Sequence, residues 1–277
     1  MRLYPETEIL REGLAQRGPG SERVWLREGL AQRGSGSLAN GVSLGHGRPV
    51  FRDASREAIH LQKAALHMTF IDLEAFGRTT LQRDPYEHLI VSGFVRPDGL
   101  PQISADFPRV PGPGSHPPSE LSIVGGFKAL IDELLGADFQ RAVEQKFDVD
   151  LSGRPTMYTV RGFVAERDGD IHTDSKTKII TALIYLNEGW EADGGRLRIL
   201  RRRDDLEDFA AEVPPFGGTL LVFRRSDRSW HGHKRHSGPR RAVQLNWVTE
   251  QSVVDREQNR HRLSTRLKKM ARALLGR

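Results

Sequence analysis

The chain of 277 residues contains no cysteine. Disulfide bonds, thiolate chemistry and cysteine-based zinc sites are therefore excluded, and a metal would have to be held by histidine, aspartate or glutamate. No apolar run approaches the roughly 18 residues that a membrane-spanning helix needs. Residues 1–6 are not followed by the apolar segment of a secretory signal. From these absences we expect a cytoplasmic protein.

A strong excess of one charge sign is also missing. Lysine and arginine number 42 and aspartate and glutamate 36, which gives a net charge of +6. This mild excess permits an acidic partner but does not indicate one. With 37% apolar and 28% charged residues, the composition is typical of a soluble globular protein with one large domain or two small ones.

The N-terminal region, residues 1–50, contains an internal duplication, because residues 10–18 recur as 26–34. Two copies are too few for a solenoid, which needs three or more. We interpret residues 1–50 as a variable, poorly ordered extension, with a docking element as the alternative. The main domain is then expected at residues 51–250.

The C-terminal segment, residues 251–277, places leucines and a methionine at helical spacing among many arginines and lysines. This pattern predicts a basic amphipathic helix. Such a helix can lie on an anionic membrane surface. We favour a helix that packs on its own domain with its charges solvated.

Helical periodicity marks the first half of the main domain. Apolar residues beginning at Phe127 follow the spacing i, i+3, i+4, i+7, i+8 and predict a helix from about Ser119 to Gly136. Asp138 is placed to cap a second helix. Before these helices, residues 97–118 are rich in proline and glycine, and we interpret them as a long loop and a candidate lid.

The remainder of the main domain has the pattern of short strands. Predicted strands lie at residues 84–91, 158–164, 179–186, 196–200, 219–223 and 242–248. No long helix separates the strands after residue 156. They therefore favour a sandwich or jelly roll over a parallel α/β sheet.

A histidine and an aspartate stand two residues apart in Ile171-His172-Thr173-Asp174, after the turn-like residues 167–170. In an extended strand, side chains at i and i+2 point to the same face. Together they would supply two-thirds of the facial site in which two histidines and one carboxylate hold non-haem Fe(II). The pair alone is a weak signal, because such pairs are common on protein surfaces.

The third ligand would have to come from His231, His233 or His236. His231 follows the strand at 219–223 and its turn, where an extended segment begins, and is therefore favoured. His233 shares the strand parity of His231 and is the main alternative. Without His172 and Asp174 elsewhere in the chain, the three histidines would be interpreted as part of a solvated basic loop.

An arginine opens the last predicted strand. By parity, Arg241 shares a face with Val243, Leu245 and Trp247, which marks that face as core. An unpaired buried charge is very costly, so the guanidinium needs a partner there. A bound carboxylate, an internal acidic residue, or an exit to solvent at the strand end would each satisfy it.

These motifs together resemble one known family. The order and spacing agree in His172-Thr173-Asp174, Tyr185-Leu186-Asn187, Asp193-Gly194-Gly195-Arg196-Leu197, Trp230-His231, and Arg241 with Trp247. In these elements the chain resembles the Fe(II)- and 2-oxoglutarate-dependent oxygenases, in particular the prolyl-hydroxylase-like branch. The resemblance covers about residues 84–250 and is most specific at 156–248.

The resemblance implies a mainly β fold with helices (α+β), namely a double-stranded β-helix, or jelly roll, with packing helices on one side. It implies that His172, Asp174 and His231 hold the iron and are catalytic. It also implies that Arg241 pairs with the distal carboxylate of 2-oxoglutarate. Tyr185 is expected to hydrogen-bond the same carboxylate, with a core tyrosine as the alternative.

The implied activity is hydroxylation of an unactivated C–H bond. Fe(II), 2-oxoglutarate and O2 are the implied cofactor and co-substrates, ascorbate is a candidate reductant, and succinate and CO2 are released. Asp174 retains the carboxylate that halogenating relatives lack, so hydroxylation is favoured. A prolyl side chain, a free amino acid and another small molecule all fit, because specificity in such folds lies in loops, here 97–118 and 224–230.

Two other functions stay open. A non-catalytic metal- or ligand-binding jelly roll is one, although it would have no need of the arginine anchor. A nucleic-acid demethylase is the other and is less favoured, because aromatic residues for base stacking do not interleave with the arginines. The arginines at 196–203 are followed at once by acidic residues, which indicates a self-neutralising hairpin. Substrate identity and oligomeric state are not readable from the sequence.

Overall fold

The computed structural model of the chain describes residues 69–256. The duplicated extension at 1–50 and the predicted basic helix beyond residue 256 lie outside the described residues. Within the described range, no helix combines the length and the apolarity required to cross a membrane. Residues 251–256, at the end of this range, are helical.

The other helices of the described range are α1 (Leu73–Arg78), α2 (Leu100–Ala105), α3 (Gly125–Leu134) and α4 (Ala137–Phe147), with a 3-10 turn at Pro118–Glu120. The stripe predicted from Phe127 is buried in α3 and includes Leu130 and Leu134. Leu135 follows the end of α3 and is 42% exposed, so the stripe stops with the helix.

Three local predictions need correction. α3 begins at Gly125 and not near Ser119, because a separate 3-10 turn and the extended residue Val124 precede it. Asp138 does not cap α4: Gly136 is the N-cap residue, and Asp138 lies in the first turn, where its charge is favourable to the helix dipole. The segment 97–118 contains α2, so it is not a structureless loop.

The strands are β1 (His88–Val91), β2 (Thr156–Val164), β3 (Lys178–Tyr185), β4 (Leu197–Leu200), β5 (Phe209–Val213), β6 (Thr219–Arg224), β7 (His231–Gly232) and β8 (Gly238–Val248). A large antiparallel sheet has the order β1-β6-β3-β8-β2, and a small one has the order β5-β4-β7. Each of the six predicted strands is confirmed, β7 lies where an extended segment was predicted to begin at His231, and β5 was not predicted.

Both faces of the large sheet are buried. On one face, β8 contributes Val243, Leu245 and Trp247 to a core shared with α3 and α4. On the other face, Ala242 of β8 and Leu183 of β3 pack with residues of the small sheet. The arrangement confirms the expected fold class, in which antiparallel sheets carry packing helices on one side. Consecutive residues of β8 therefore face two different interiors.

The β4–β5 hairpin neutralises its own charge, as the sequence predicted. The Nε of Arg198 lies 2.6 Å from Oε2 of Glu212, and its Nη1 lies 3.0 Å from Oε1 of Glu207. Arg202 pairs with Asp204 at 3.3 Å at the exposed turn. These cations therefore have anionic partners within the hairpin itself.

Candidate metal and cofactor site

A short backbone bridge brings the two histidines together. The His172 N–H donates to the His231 carbonyl at 3.0 Å, and the His231 N–H donates to the His172 carbonyl at the same distance. His231 lies in β7, while His172 lies between β2 and β3. The pairing places the two imidazole rings 4.4 Å apart between centroids.

His172, Asp174 and His231 form one cluster of ligand atoms, with one atom from each residue and all of them within 4.8 Å of one another. Asp174 and His231 are buried, and His172 is exposed. The sequence-based choice of these three residues is therefore consistent with their placement. His172 sits on the solvent side of the cluster.

The outward nitrogen of each imidazole is already occupied. Nδ1 of His172 lies 2.8 Å from the Asp170 carbonyl, and Nδ1 of His231 lies 2.9 Å from the Ser229 carbonyl. A carbonyl only accepts, so each Nδ1 carries the proton and each Nε2 presents a lone pair. Metal-binding histidines are typically oriented by such a hydrogen bond from the second nitrogen.

Asp174 is held by two side chains of β3. Lys178 Nζ lies 2.8 Å from Oδ1, and Thr181 Oγ1 donates to Oδ2 at 2.5 Å. Burial alone would raise the pKa of Asp174, but the charges of Lys178 and His231 and these two hydrogen bonds lower it. The aspartate is thus a carboxylate at neutral pH. Arg225 fixes the backbone by donating to the Asp174 carbonyl at 3.1 Å.

His231 is held in its neutral form because it is buried. Desolvation lowers the pKa of His231 to about 4, against the partial opposition of Asp174. Its ring packs on Phe223, with 4.9 Å between centroids, and the Tyr86 hydroxyl donates to the adjacent Trp230 carbonyl at 3.1 Å. Two imidazoles and one carboxylate are the donor set of non-haem Fe(II) sites, so these residues fit that ion.

The alternative ligand His233 does not join the cluster. It lies in the same cavity, but its Nδ1 lies 2.8 Å from the Lys234 carbonyl and its ring lies against Gly169. Burial, followed by the charge of Arg240, lowers its pKa to about 4. His236 packs its ring on Trp190 instead.

The cluster opens into a cavity of about 100 Å³ inside the jelly roll. Inward-facing residues of β3 and β8 line this cavity, among them Tyr185 and Arg240. Tyr185 is fully buried, as expected for a residue on this face. The expected contact between its hydroxyl and a bound carboxylate stays a prediction.

The predicted anchor Arg241 lies outside this cavity. It shares the face of Val243, as parity predicted, but that face packs on the helices and not on the cavity. Its Nη1 donates to Ser104 Oγ at 2.9 Å, and its guanidinium lies 5.0 Å from the centre of the Phe107 ring. The face of β8 that packs on the helices and the face of β8 that lines the cavity are therefore opposite faces of the same strand.

Arg240 instead points into the cavity. It is 4% exposed, its Nε donates to the Gly195 carbonyl at 2.8 Å, and its Nη2 donates to Tyr185 Oη at 3.2 Å. Within residues 69–256 it has no ion pair with a carboxylate. A buried guanidinium with only neutral partners leaves a charge that an organic anion would satisfy.

A second guanidinium, missed in the sequence, also lines the cavity. Arg161 of β2 pairs with Asp168 at 3.5 Å, and its Nη2 donates to Ser115 Oγ at 3.0 Å. Burial and the nearby charge of Arg240 lower its pKa. Unlike Arg240, it already has an anionic partner. Arg161 stands two residues after Thr159 in β2, so the two side chains share the face that lines the cavity, and this spacing is the signal in the sequence that could have indicated its position.

The part of the chain that carries this site is similar to a known protein family. Residues 157–249 match the family model described as the 2OG-Fe(II) oxygenase superfamily. No curated protein matches the chain.

Solved structures similar to the chain include a prolyl-4-hydroxylase of Pseudomonas putida, at 18% identity and TM-score 0.40, over 64% of this chain and 93% of that one. A structure of prolyl 4-hydroxylases from Phytophthora capsici has 15% sequence identity and a TM-score of 0.42, and the match covers 70% of this chain and 72% of that one. HygX of Streptomyces hygroscopicus, with nickel and 2-oxoglutarate bound, has 14% sequence identity and a TM-score of 0.41. That match covers 59% of this chain and 82% of that one.

The matched segment contains the whole His172, Asp174 and His231 cluster together with Arg240 and Tyr185. A donor set suited to ferrous iron and a cavity with an unpaired guanidinium thus coincide with the family match. Through this segment the chain is similar to the 2OG-Fe(II) oxygenase superfamily, and the match together with the ligand cluster supports a 2-oxoglutarate-dependent dioxygenase with Fe(II) and 2-oxoglutarate as cofactors.

Proposed function

We propose that the protein hydroxylates an unactivated C–H bond of a prolyl, amino-acid-like or other small substrate. His172, Asp174 and His231 hold Fe(II), and Arg240 with Tyr185 binds the distal carboxylate of 2-oxoglutarate. The observation that carries this assignment is the buried guanidinium of Arg240, which has no anionic partner in the described residues and shares a cavity with the three ligands.

Each residue of the proposed site has a definite task. His172 and His231 present Nε2 lone pairs, because backbone carbonyls hold their Nδ1 protons. Asp174 stays ionised and is positioned by Lys178 and Thr181. When bound, iron and 2-oxoglutarate supply O2 activation with release of succinate and CO2.

Arg240 and Tyr185 orient the co-substrate. The guanidinium can form a two-point contact with a carboxylate, and the phenol adds a further donor. Arg240 Nε and Nη2 are already held by Gly195 and Tyr185, so the side chain is fixed before the co-substrate arrives. Because three protein ligands include the carboxylate of Asp174, hydroxylation is favoured over halogenation.

The test is turnover of 2-oxoglutarate by purified full-length protein. We expect succinate to form only when Fe(II), 2-oxoglutarate and O2 are all present, and at a slow rate without a primary substrate. Equilibrium binding of 2-oxoglutarate to metal-loaded protein is measured in parallel. Protein that binds iron but neither binds nor consumes 2-oxoglutarate would contradict the proposal and leave a non-catalytic binding module.

A further inference from the structure

A second cavity adjoins the metal cavity. Its volume is about 270 Å³, and it shares Ser115, Thr159 and Gln244 with the metal cavity. A molecule in the second cavity therefore lies next to the proposed iron site. Its volume is just below the roughly 300–1,000 Å³ of drug-sized ligand pockets, so it suits a small molecule.

The lining of the second cavity is rich in hydrogen-bond donors. Apart from Met157 and Val253, its described residues carry hydroxyl groups, amides or the ammonium group of Lys178. No carboxylate lines it within residues 69–256. Such a surface suits a ligand with acceptor oxygens and an anionic charge, and it disfavours a cation.

One of these donors is buried without a partner. Asn246 is 2% exposed, and its Nδ2 has no hydrogen-bond partner among residues 69–256, while its Oδ1 accepts from Gln244 Nε2 at 3.2 Å. An unsatisfied buried donor is destabilising, and each such group calls for an explanation. Asn246 lines the second cavity, so an acceptor atom bound there would satisfy Nδ2.

Lys178 supplies the positive charge. Its side chain is 17% exposed, and Nζ contacts Asp174 Oδ1 at 2.8 Å. An ammonium group has three donors, so contacts beyond the one to Asp174 are available. Among the described residues Lys178 is the only cation that lines this cavity, and its anionic partner, Asp174, is shared with the proposed metal. A ligand carboxylate would give the ammonium group a second anion.

We propose, on the basis of the function proposed above, that the second cavity binds the carboxylate of the primary substrate through Lys178 and Asn246. The substrate is thus a small free carboxylic acid of amino-acid size. A residue inside a polypeptide presents a neutral amide at this point and would offer the ammonium group of Lys178 no second anion. One oxygen atom of O2 enters a C–H bond of the acid to give C–OH, and the other enters succinate as 2-oxoglutarate loses CO2.

The first experiment compares matched acids and amides. The twenty proteinogenic L-amino acids are supplied to Fe(II)-loaded protein with 2-oxoglutarate, each as the free acid and as its carboxamide. We expect at least one free acid to raise succinate formation above the uncoupled rate, and its carboxamide to have at least about tenfold lower kcat/KM, since hydrogen bonds to a charged group are lost.

Binding is measured separately from turnover. Saturation-transfer NMR on Zn(II)-loaded protein with 2-oxoglutarate detects the same acids and carboxamides without oxidation. We expect the stimulating acid to bind and its carboxamide to bind at least about tenfold more weakly. Equal binding of acids and carboxamides, or stimulation by none of the acids, would overturn the inference.

Variants assign the effect to the two residues. Asn246→Leu and Lys178→Met are expected to weaken binding of the acid by about tenfold or more. Lys178→Arg keeps the charge and should retain the preference for acid over carboxamide. Lys176→Met is the matched control, because Lys176 is exposed and does not line the cavity, and we expect a change within about twofold.

Failure of the two proposals can be told apart. Wild-type protein that consumes 2-oxoglutarate without any primary substrate but shows no preference for acids contradicts only the substrate assignment. Protein that does not bind or consume 2-oxoglutarate contradicts the proposed function and the substrate assignment together. A variant that loses its circular-dichroism spectrum is discarded, and the acid–carboxamide comparison on wild-type protein then decides.

Discussion

Arg240 and Arg241 are neighbours in sequence, and their guanidinium groups lie on opposite faces of the large sheet. Arg240 contacts Tyr185 in the metal cavity, whereas Arg241 contacts Ser104 of α2. The two residues have the same chemistry and nearly the same position along β8. They therefore form a matched pair for testing which guanidinium meets the co-substrate.

Arg240→Met should raise the Kd for 2-oxoglutarate by at least about tenfold, because a buried charged contact to a carboxylate is lost. Arg241→Met should change it by no more than about twofold, since its contacts are partly exposed and lie outside the cavity. Equilibrium binding to the metal-loaded variants measures both. The reverse ranking would assign the anchor to Arg241.

The distal metal ligand is tested by His231→Gln and His233→Gln. Removing a metal ligand should weaken Fe(II) binding by more than the roughly 100-fold that outer partners can contribute. His233 lies in the cavity but its ligand atoms lie outside the cluster, so His233→Gln should keep most of the metal affinity. Metal titration by absorbance or calorimetry gives the two constants. Greater loss in His233→Gln would reverse the choice of ligand.

The hydroxyl of Thr181 orients a carboxylate oxygen of Asp174. Thr181→Val has a similar shape without the donor, and we expect about 10–100-fold weaker metal binding or activity. Thr181→Ser keeps the hydroxyl and should recover most of the loss. A Thr181→Val protein with wild-type metal affinity would show that Lys178 alone positions the aspartate.

Stability of the metal-free protein should fall in mild acid. The pKa values of His231 and His233 are about 4 in the fold, below the ordinary value of 6.5. As the pH drops below about 6.5, the unfolded chain binds protons at these histidines before the folded chain does, so the free energy of unfolding decreases until about pH 4. Denaturant titrations at several pH values measure the slope.

His233→Gln removes one of these groups and should make that slope shallower. The carboxylates add their own dependence, and the pKa of Asp174 is lowered in the fold, so its contribution is lost at a lower pH. The comparison with wild type isolates the histidine part. An unchanged slope between pH 6.5 and 4 would contradict the burial of a neutral imidazole at position 233.

Much of the fold followed from periodicity. The strands with clear turns at both ends were predicted to within a few residues, because each has alternating or continuous apolar residues. β7 was predicted only as the start of an extended segment, because it has two residues and is defined by its pairing with β4 and with His172. β5 escaped prediction because Ala210 and Ala211 give it little apolar pattern. Both strands depend on tertiary pairing that local sequence does not encode.

The three ligand residues were predicted from their spacing and residue types. His172 and Asp174 lie in the segment between β2 and β3, and the backbone bridge from His172 brings His231 to them. Arg241 was favoured in the sequence because Val243, Leu245 and Trp247 indicated a core face, but the sheet has a core on each face and the cavity lies on the other one. The small and polar residues Ala242 and Gln244 are the signal of the inner cavity that the sequence did offer.

The roles of Lys178 and Thr181 were also invisible in the sequence. Both are ordinary members of a strand pattern, and their contacts to Asp174 depend on how the chain turns between residues 174 and 178. The same holds for the orphan amide of Asn246. Hydrogen-bond satisfaction is a property of three-dimensional surroundings, so these residues could be singled out only in the folded chain.

The backbone pairing of His172 with His231 has a consequence for metal choice. Two reciprocal main-chain hydrogen bonds set the spacing of the imidazoles without help from an ion, so little rearrangement accompanies loading. A rigid nitrogen and oxygen cluster of this kind binds first-row divalent ions in their intrinsic order, in which nickel, copper and zinc outrank ferrous iron. Occupancy by the redox-active ion is then decided by the supply of metal ions, and protein purified from a foreign host should carry inactive substitutes.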